Sequence, residues 1–314
     1  MADTHDHMSI GVGHLEPDNN SDDFLNDDMS LFSSTASLRS SILRSMEENG
    51  RKYHGYKEGK YVLPVDEQEL DRQIFQYDLC LLTFDHILSF APFTRLNRVL
   101  DAGCGVGDWC RSVTHTASIP PNVQFEIDDL EETWNFSYPF DYIHCLMMTG
   151  AFRDWSTFYR QAFENLNPDG WLEIQDIQFP LYCDDGTMQP QGALKRWSDL
   201  MVEAGDKSGF LLTTCESAGD MMHEAGFVDI VRIPYKWPIN EWPREPKWKE
   251  VGRRTSINFR DGMSGIMMAL FTRFMGWSKE QVEEFCAQVD KEWQDTRVHA
   301  YFNLWVTYGR KARH

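Results

Sequence analysis

Residues 98–134 read RVLDAGCGVGDWCRSVTHTASIPPNVQFEIDDLEETW. Arg98 to Asp101 has the apolar, branched character of a short buried strand, and it runs directly into glycines at alternate positions, Gly103, Gly105 and Gly107. A short helix follows the glycines, and Val123 to Ile127 then reads as a second strand ending in Asp128 and Asp129. Glycines let the chain turn sharply and let a ligand approach without a Cβ in the way, while the helix start aims free N–H groups at an electronegative group. A strand before the loop and a helix after it lift the pattern above a chance run of glycines, and imply a nucleoside ligand.

Outward from this stretch, strands and helices alternate. Tyr142 to Leu146 is a third strand, Trp155 to Leu166 repeats apolar residues at helical spacing, and Trp171 to Gln175 is a fourth strand. Helices between strands imply parallel pairing. FVDIVRIPYKW (227–237) and HAYFNLWVTYGRK (299–311) are further strands, the last suiting an antiparallel edge, and a helical insertion at 239–296 separates them. Before the core, 39–92 reads as an N-terminal helical cap, interrupted by the Tyr-, Lys- and Gly-rich stretch NGRKYHGYKEGKYVLP (49–64). The expected organisation is therefore an acidic tail, 1–38, and one domain, 39–314, made of cap (39–92), Rossmann-like core (93–238), insertion (239–296) and final strand (297–314).

Bulk properties exclude several classes. The 314 residues are 42% apolar, ample for a core, and the formal charge of −19 repels nucleic acid and anionic membrane surfaces. No apolar run spans a bilayer, and the amino-terminal stretch lacks the regions of a signal peptide, so a cytoplasmic or nuclear location is expected. Seven scattered cysteines without C-x-x-C spacing fit reduced thiols rather than a disulfide or zinc framework. Residues 1–38 carry eight acidic residues and no Lys or Arg, a composition expected to be disordered, and His5 and His7 within it are not expected to hold a metal. G-x-S-x-G, H-E-x-x-H and P-loop patterns are absent, which removes the usual hydrolase and kinase readings.

Which nucleoside the loop takes follows from Asp101. Dinucleotide sites prefer G-x-G-x-x-G, and an acid before the loop repels a pyrophosphate but suits a ligand with a cationic amino-acid end. S-adenosylmethionine (SAM), with an ammonium and a sulfonium, is such a ligand. VLDAGCGVGDW (99–109) resembles motif I of class I SAM-dependent methyltransferases. More specifically, the chain resembles the fungal LaeA-type methyltransferase-like proteins, which include the velvet-complex regulator of secondary metabolism. The resemblance is carried by 49–73, 120–155, NPDGWLEIQD (167–176), LFTRFMGWS (270–278) and 299–311. It implies a seven-stranded sheet of order 3-2-1-4-5-7-6 with SAM across the strand carboxyl ends, where topology also places a crevice. It further implies SAM contacts from Asp101, Gly103, Cys104 and Gly105, a loop requirement at Gly107, and adenine recognition by Asp128 and Asp129. The function implied is methyl transfer to a small-molecule nucleophile, or to a protein. The alternative is a degenerate regulator acting through a protein partner.

One unit of this fold is missing. The strand after motif I should end in an acid for the ribose hydroxyls about 20 residues beyond the glycines, and Glu126 stands 21 positions after Gly105. Only ten residues, 130–139, then separate Asp129 from FDYIH, whereas a β-α-β unit needs about 30. By the resemblance, PPNVQFEIDD is the family's third strand, so the second strand is lost with its ribose acid. If 122–127 slips into the vacated place, Glu126 or Asp128 takes the ribose. Losing the acid outright costs about 2–4 kcal/mol of cofactor binding, roughly 30- to 1000-fold. Methyl transfer needs alignment more than acid-base groups. His144, in the FDYIH strand, is the catalytic candidate, as a base toward the nucleophile. Tyr53, His54 and Tyr56 are candidates to close over SAM.

Overall fold

A computed structural model describes residues 45–114 and 121–313. The acidic tail with His5 and His7 lies outside the described residues. The first of the described elements is not helical. Ser45–Glu48 (β1) and Arg51–His54 (β2) form an antiparallel hairpin. Its turn is Asn49-Gly50, both at positive φ (54° and 81°), the pairing that matches the twist of a two-residue hairpin turn. The helical reading of this first part is thereby corrected: an Asn-Gly pair between short alternating runs outweighed the helical spacing. The cap's long helix does form, as Glu67–Thr83 (α1), with the Asp66 carboxylate accepting from Glu69 N at its start.

Val99–Ala102 (β3) leads into Asp108–Thr114 (α2), and Phe140–Leu146 (β4) into Trp155–Glu164 (α3). Leu166–Tyr182 (β5) follows, then Ala193–Ser208 (α4), Ala218–Ala225 (α5) and Val228–Pro238 (β6). The insertion is two helices, Pro246–Phe274 (α6) and Lys279–Trp293 (α7), before Tyr301–Arg310 (β7). The main sheet has the order β3-β4-β5-β7-β6, with β3, β4 and β5 parallel and β7 antiparallel to both its neighbours. The antiparallel edge is thus the β7–β6 pair.

No strand forms at 121–139, so Val123 to Ile127 is extended chain without a ladder. Among the described residues the sheet ends at β3, and both strands the fold carries beyond it are missing, one more than the ten-residue count required. The edge of β3 is thereby left open, and this stretch does not pair with it. Instead Phe125 turns onto Gly107, where an added Cβ would stand 2.8 Å from its ring, and Ile127 is left exposed. β3 is correspondingly a half-exposed edge rather than a buried strand.

Two apolar layers hold the sheet. Phe140, Ile143, Leu172 and Ile174 pack with Trp155, Phe158 and Met222 on one face. On the other, Trp197, Phe259, Trp293 and Phe302 form the centre of a larger cluster joining α1 and the insertion helices to the far half of β5 and β7. Polar ties fix the cap and the insertion to this layer. Trp237 Nε1 donates to Thr83 Oγ1 at 2.7 Å, and Glu292 of α7 accepts from Ala193 N and Leu194 N, closing the free N–H groups at the start of α4. Among the described residues no helix is long and apolar enough to cross a membrane.

Candidate functional site

The carboxyl ends of β3, β4 and β5 lie at one edge of the sheet, and the glycine loop leaves β3 there. Gly103, Gly105 and Gly107 all have positive φ (73°, 54° and 83°), conformations in which an L side chain is strained. Gly107 N donates to Cys104 O, and Arg111 N to Gly107 O, so the turn passes straight into α2. Each glycine also meets a side chain from a different element. A Cβ on Gly103 would stand 2.1 Å from Met148 Sδ, and one on Gly107 2.8 Å from Phe125. At Gly105 the space is open to 3.5 Å, where Gln73 Oε1 reaches down from α1.

Asp101 sits one residue inside the end of β3, directly opposite His144 on β4. Its Oδ1 lies 2.9 Å from His144 Nδ1, while its Oδ2 is buried without a hydrogen-bond partner. With a carboxylate as partner, His144 Nδ1 carries the proton and donates. The imidazole is fully buried and stacked on Trp109 at 4.1 Å, and Trp109 is in turn fixed by donating from Nε1 to Leu88 O. His144 therefore lies within the strand, with its ring enclosed by Trp109, Tyr142 and Asp101 rather than open to a reacting nucleophile. Its contacts orient Asp101.

The remaining predicted residues are dispersed. Cys104 is half-buried, and burial next to Asp101 pushes its thiol up to about 11, which leaves it unreactive. Glu126 and Asp128 are exposed, and Asp128 Oδ1 accepts from Asp129 N. Asp129 is held by two cations: Lys57 Nζ lies 2.8 Å away and Lys60 Nζ is also in contact. Burial alone would raise the Asp129 carboxyl, but the two lysines hold it below its ordinary range. Lys57 also pairs with Glu132, and Lys60 with Glu131. Glu131 in turn accepts from Arg153 N and Asp154 N at the start of α3. These acids thus latch the loop after β2 to the chain that follows the glycine loop. Of the cap aromatics, Tyr53 is buried against the Arg273 guanidinium.

Two buried acids on β5 went unread in the sequence. Glu173 is fully buried and accepts from Phe90 N and Ala91 N, at 2.9 and 2.8 Å, tying the chain after α1 to the sheet. Asp176 is 1% exposed, accepts from Met148 N and Ile177 N, and is raised by burial to about 6. Acids alternating with apolar residues in the strand WLEIQDIQF were the available signal, since a buried polar group is the informative departure from pattern.

The site is therefore a glycine turn at the carboxyl end of β3, a half-buried acid whose Oδ2 is buried without a partner, and a wall supplied by the turn after β4. The methyltransferase-domain family profile matches residues 71–231, which contain all three. The chain belongs to the methyltransferase family. This methyltransferase is 33% identical to the methyltransferase pytC of Aspergillus terreus, across 89% of this chain and 92% of that protein. It is 30% identical to the secondary metabolism regulator laeA of Aspergillus fumigatus, across 88% and 80%. Among solved structures, phosphoethanolamine N-methyltransferase 2 of Haemonchus contortus, in complex with S-adenosyl-L-methionine, gives a TM-score of 0.48 at 13% identity, covering 88% of this chain and 73% of that one. The methyl donor of the family is SAM. The glycine turn and the unpartnered Asp101 Oδ2 fit its cationic methionyl end. No carboxylate among the described residues occupies the ribose position at the end of a second strand, since that strand is missing.

Proposed function

We propose that this methyltransferase acts on a small-molecule acceptor in fungal secondary metabolism, with SAM seated on the glycine loop. The observation that carries the site is the unpartnered, buried Asp101 Oδ2 beside three glycines of positive φ. Bound SAM supplies an electrophilic methyl on a sulfonium. Asp101 receives the ammonium, oriented by His144 through Nδ1. Free N–H groups of the loop and the α2 start face the cofactor's electronegative groups. Met148, Gln73 and Phe125 wall the loop and fix its shape around the cofactor. A small-molecule acceptor is supported by the likeness to pytC along nearly the whole of both chains. Cytoplasmic or nuclear location is retained as part of this proposal.

A second reading, a regulator working through protein contacts, is favoured by one observation. Among the described residues no acid stands at the ribose position, and the nearest replacements are exposed (Glu126, Asp128) or ion-paired to the cap (Asp129). The test is incubation of the full chain with methyl-labelled SAM, a fungal metabolite extract and the matching protein fraction. Label in the small-molecule fraction supports the proposal, and label in protein or in neither overturns it.

A further inference from the structure

We propose that Asp176 is a positioning residue for methyl transfer: from beneath the turn after β4 it holds the Met148 backbone, so that the Met148 side chain forms one wall of the glycine-loop cradle. The inference rests on the reading that SAM sits on that loop. β4 pairs with β5 as far as Leu146 opposite Gln175, so Asp176 is the first β5 residue beyond the last pair, at the carboxyl end where the loop opens. Both its oxygens are directed at backbone donors, Oδ2 to Met148 N at 3.1 Å and Oδ1 to Ile177 N at 2.8 Å. The turn it holds is strained, since Met147 has φ 55° without being glycine. Thr149 Oγ1 donates to Ile177 O, anchoring the other side of the same turn. The product is the contact of Met148 Sδ with Gly103.

A purely structural role would be served better by a neutral group. The titratable groups facing Asp176 are Cys145 on β4, Tyr159 on α3, Cys80 on α1 and Cys215 before α5, none of them a cation. The nearby guanidinium, Arg232 on β6, gives its Nη2 to Cys215 O at 2.7 Å. A carboxylate buried without a cation weakens the fold. Its gain is a charge-assisted grip on Met148 N, stronger than a neutral acceptor provides. Burial raises the group to about 6, so the grip is complete in neutral solution and lost under mild acid.

The test uses the full chain and S-adenosylhomocysteine, titrated calorimetrically between about pH 5 and pH 8. The expected wild-type affinity falls about tenfold as the pH drops through the Asp176 range, the ratio of a charge-assisted to a neutral hydrogen bond. Asp176→Asn should bind weakly and without this pH dependence. Asp176→Glu should restore it. In the ligand-free protein, amide exchange at residues 147–150 should be faster in Asp176→Asn than in wild type at the same pH. Asp176→Asn with the wild-type affinity and pH profile, or with unchanged exchange, overturns the inference alone. Absence of binding by wild type at every pH overturns the site reading as well. If Asp176→Asn does not fold, a folded Asp176→Glu that binds with no pH dependence overturns it.

Discussion

Gly103→Ala tests the cradle most sharply, because two separable effects meet there. At φ 73° an alanine is strained by about 1–2 kcal/mol, whatever surrounds it. Its Cβ would also stand 2.1 Å from Met148 Sδ and 2.7 Å from Met148 Cε, far inside contact distance. Overpacking of this kind costs about 1–3 kcal/mol, and the lower end applies because the clashing atoms are the mobile tip of a methionine. The single variant should therefore lose about 2–3 kcal/mol. Met148→Ala removes the tip, so in Gly103→Ala/Met148→Ala only the backbone strain persists. Urea unfolding of the four proteins gives the coupling directly, and it should be about 1 kcal/mol in favour of the double variant. Strictly additive losses would refute the placement of Met148 over the loop, and with it the description of the cradle.

Three further outcomes follow from the buried polar groups. Glu173→Leu leaves Phe90 N and Ala91 N without acceptors and should lower stability by about 2–6 kcal/mol in urea unfolding, whereas Glu173→Gln should lose far less; equal losses would contradict the tie. His144→Phe keeps the stack on Trp109 but frees Asp101, and should weaken S-adenosylhomocysteine binding about 10- to 100-fold by calorimetry; unchanged affinity would return His144 to candidacy as a base. Asp176 has a folded pKa raised from 3.8 to about 6, so its contribution to stability is full below the unfolded value and is lost as pH rises through the folded one. At 1.36 kcal/mol per pH unit, the stability of wild type relative to Asp176→Asn should fall by about 3 kcal/mol between about pH 4 and pH 8, and a flat difference in thermal unfolding would contradict the burial.

What the sequence revealed divides along a physical line. The glycine loop, α3 and the strands of the core are local patterns, set by period and by turn chemistry, and they are found where the spacing predicts them. The fate of 121–129 is not local. Strand propensity in NVQFEI is expressed only within a ladder, and this stretch joins none; it stays extended, with its Phe125 over Gly107. The Asp129 pairing with Lys57 and Lys60 likewise joins segments about 70 residues apart, beyond the reach of any motif. His144 read as a strand-end base because its type and position are visible in sequence, whereas its enclosure by Trp109 and Asp101 is a property of packing. Glu173 and Asp176 were legible as acids within a core strand. Their opposite duties, one toward the cap and one toward the Met148 turn, follow from the alternation of the strand.

The central claim is that the glycine loop at the end of β3 is the cofactor seat despite the missing outer strands. Calorimetric titration of S-adenosylhomocysteine into wild type and Gly105→Val tests it most directly, because Gly105 is the least crowded of the three loop glycines, its nearest neighbour being Gln73 Oε1 at 3.5 Å from an added Cβ. Wild type should bind in the micromolar range, and the folded variant, with a branched side chain at that position, should show no measurable binding. Equal affinity in the two proteins would contradict the account and place the cofactor elsewhere.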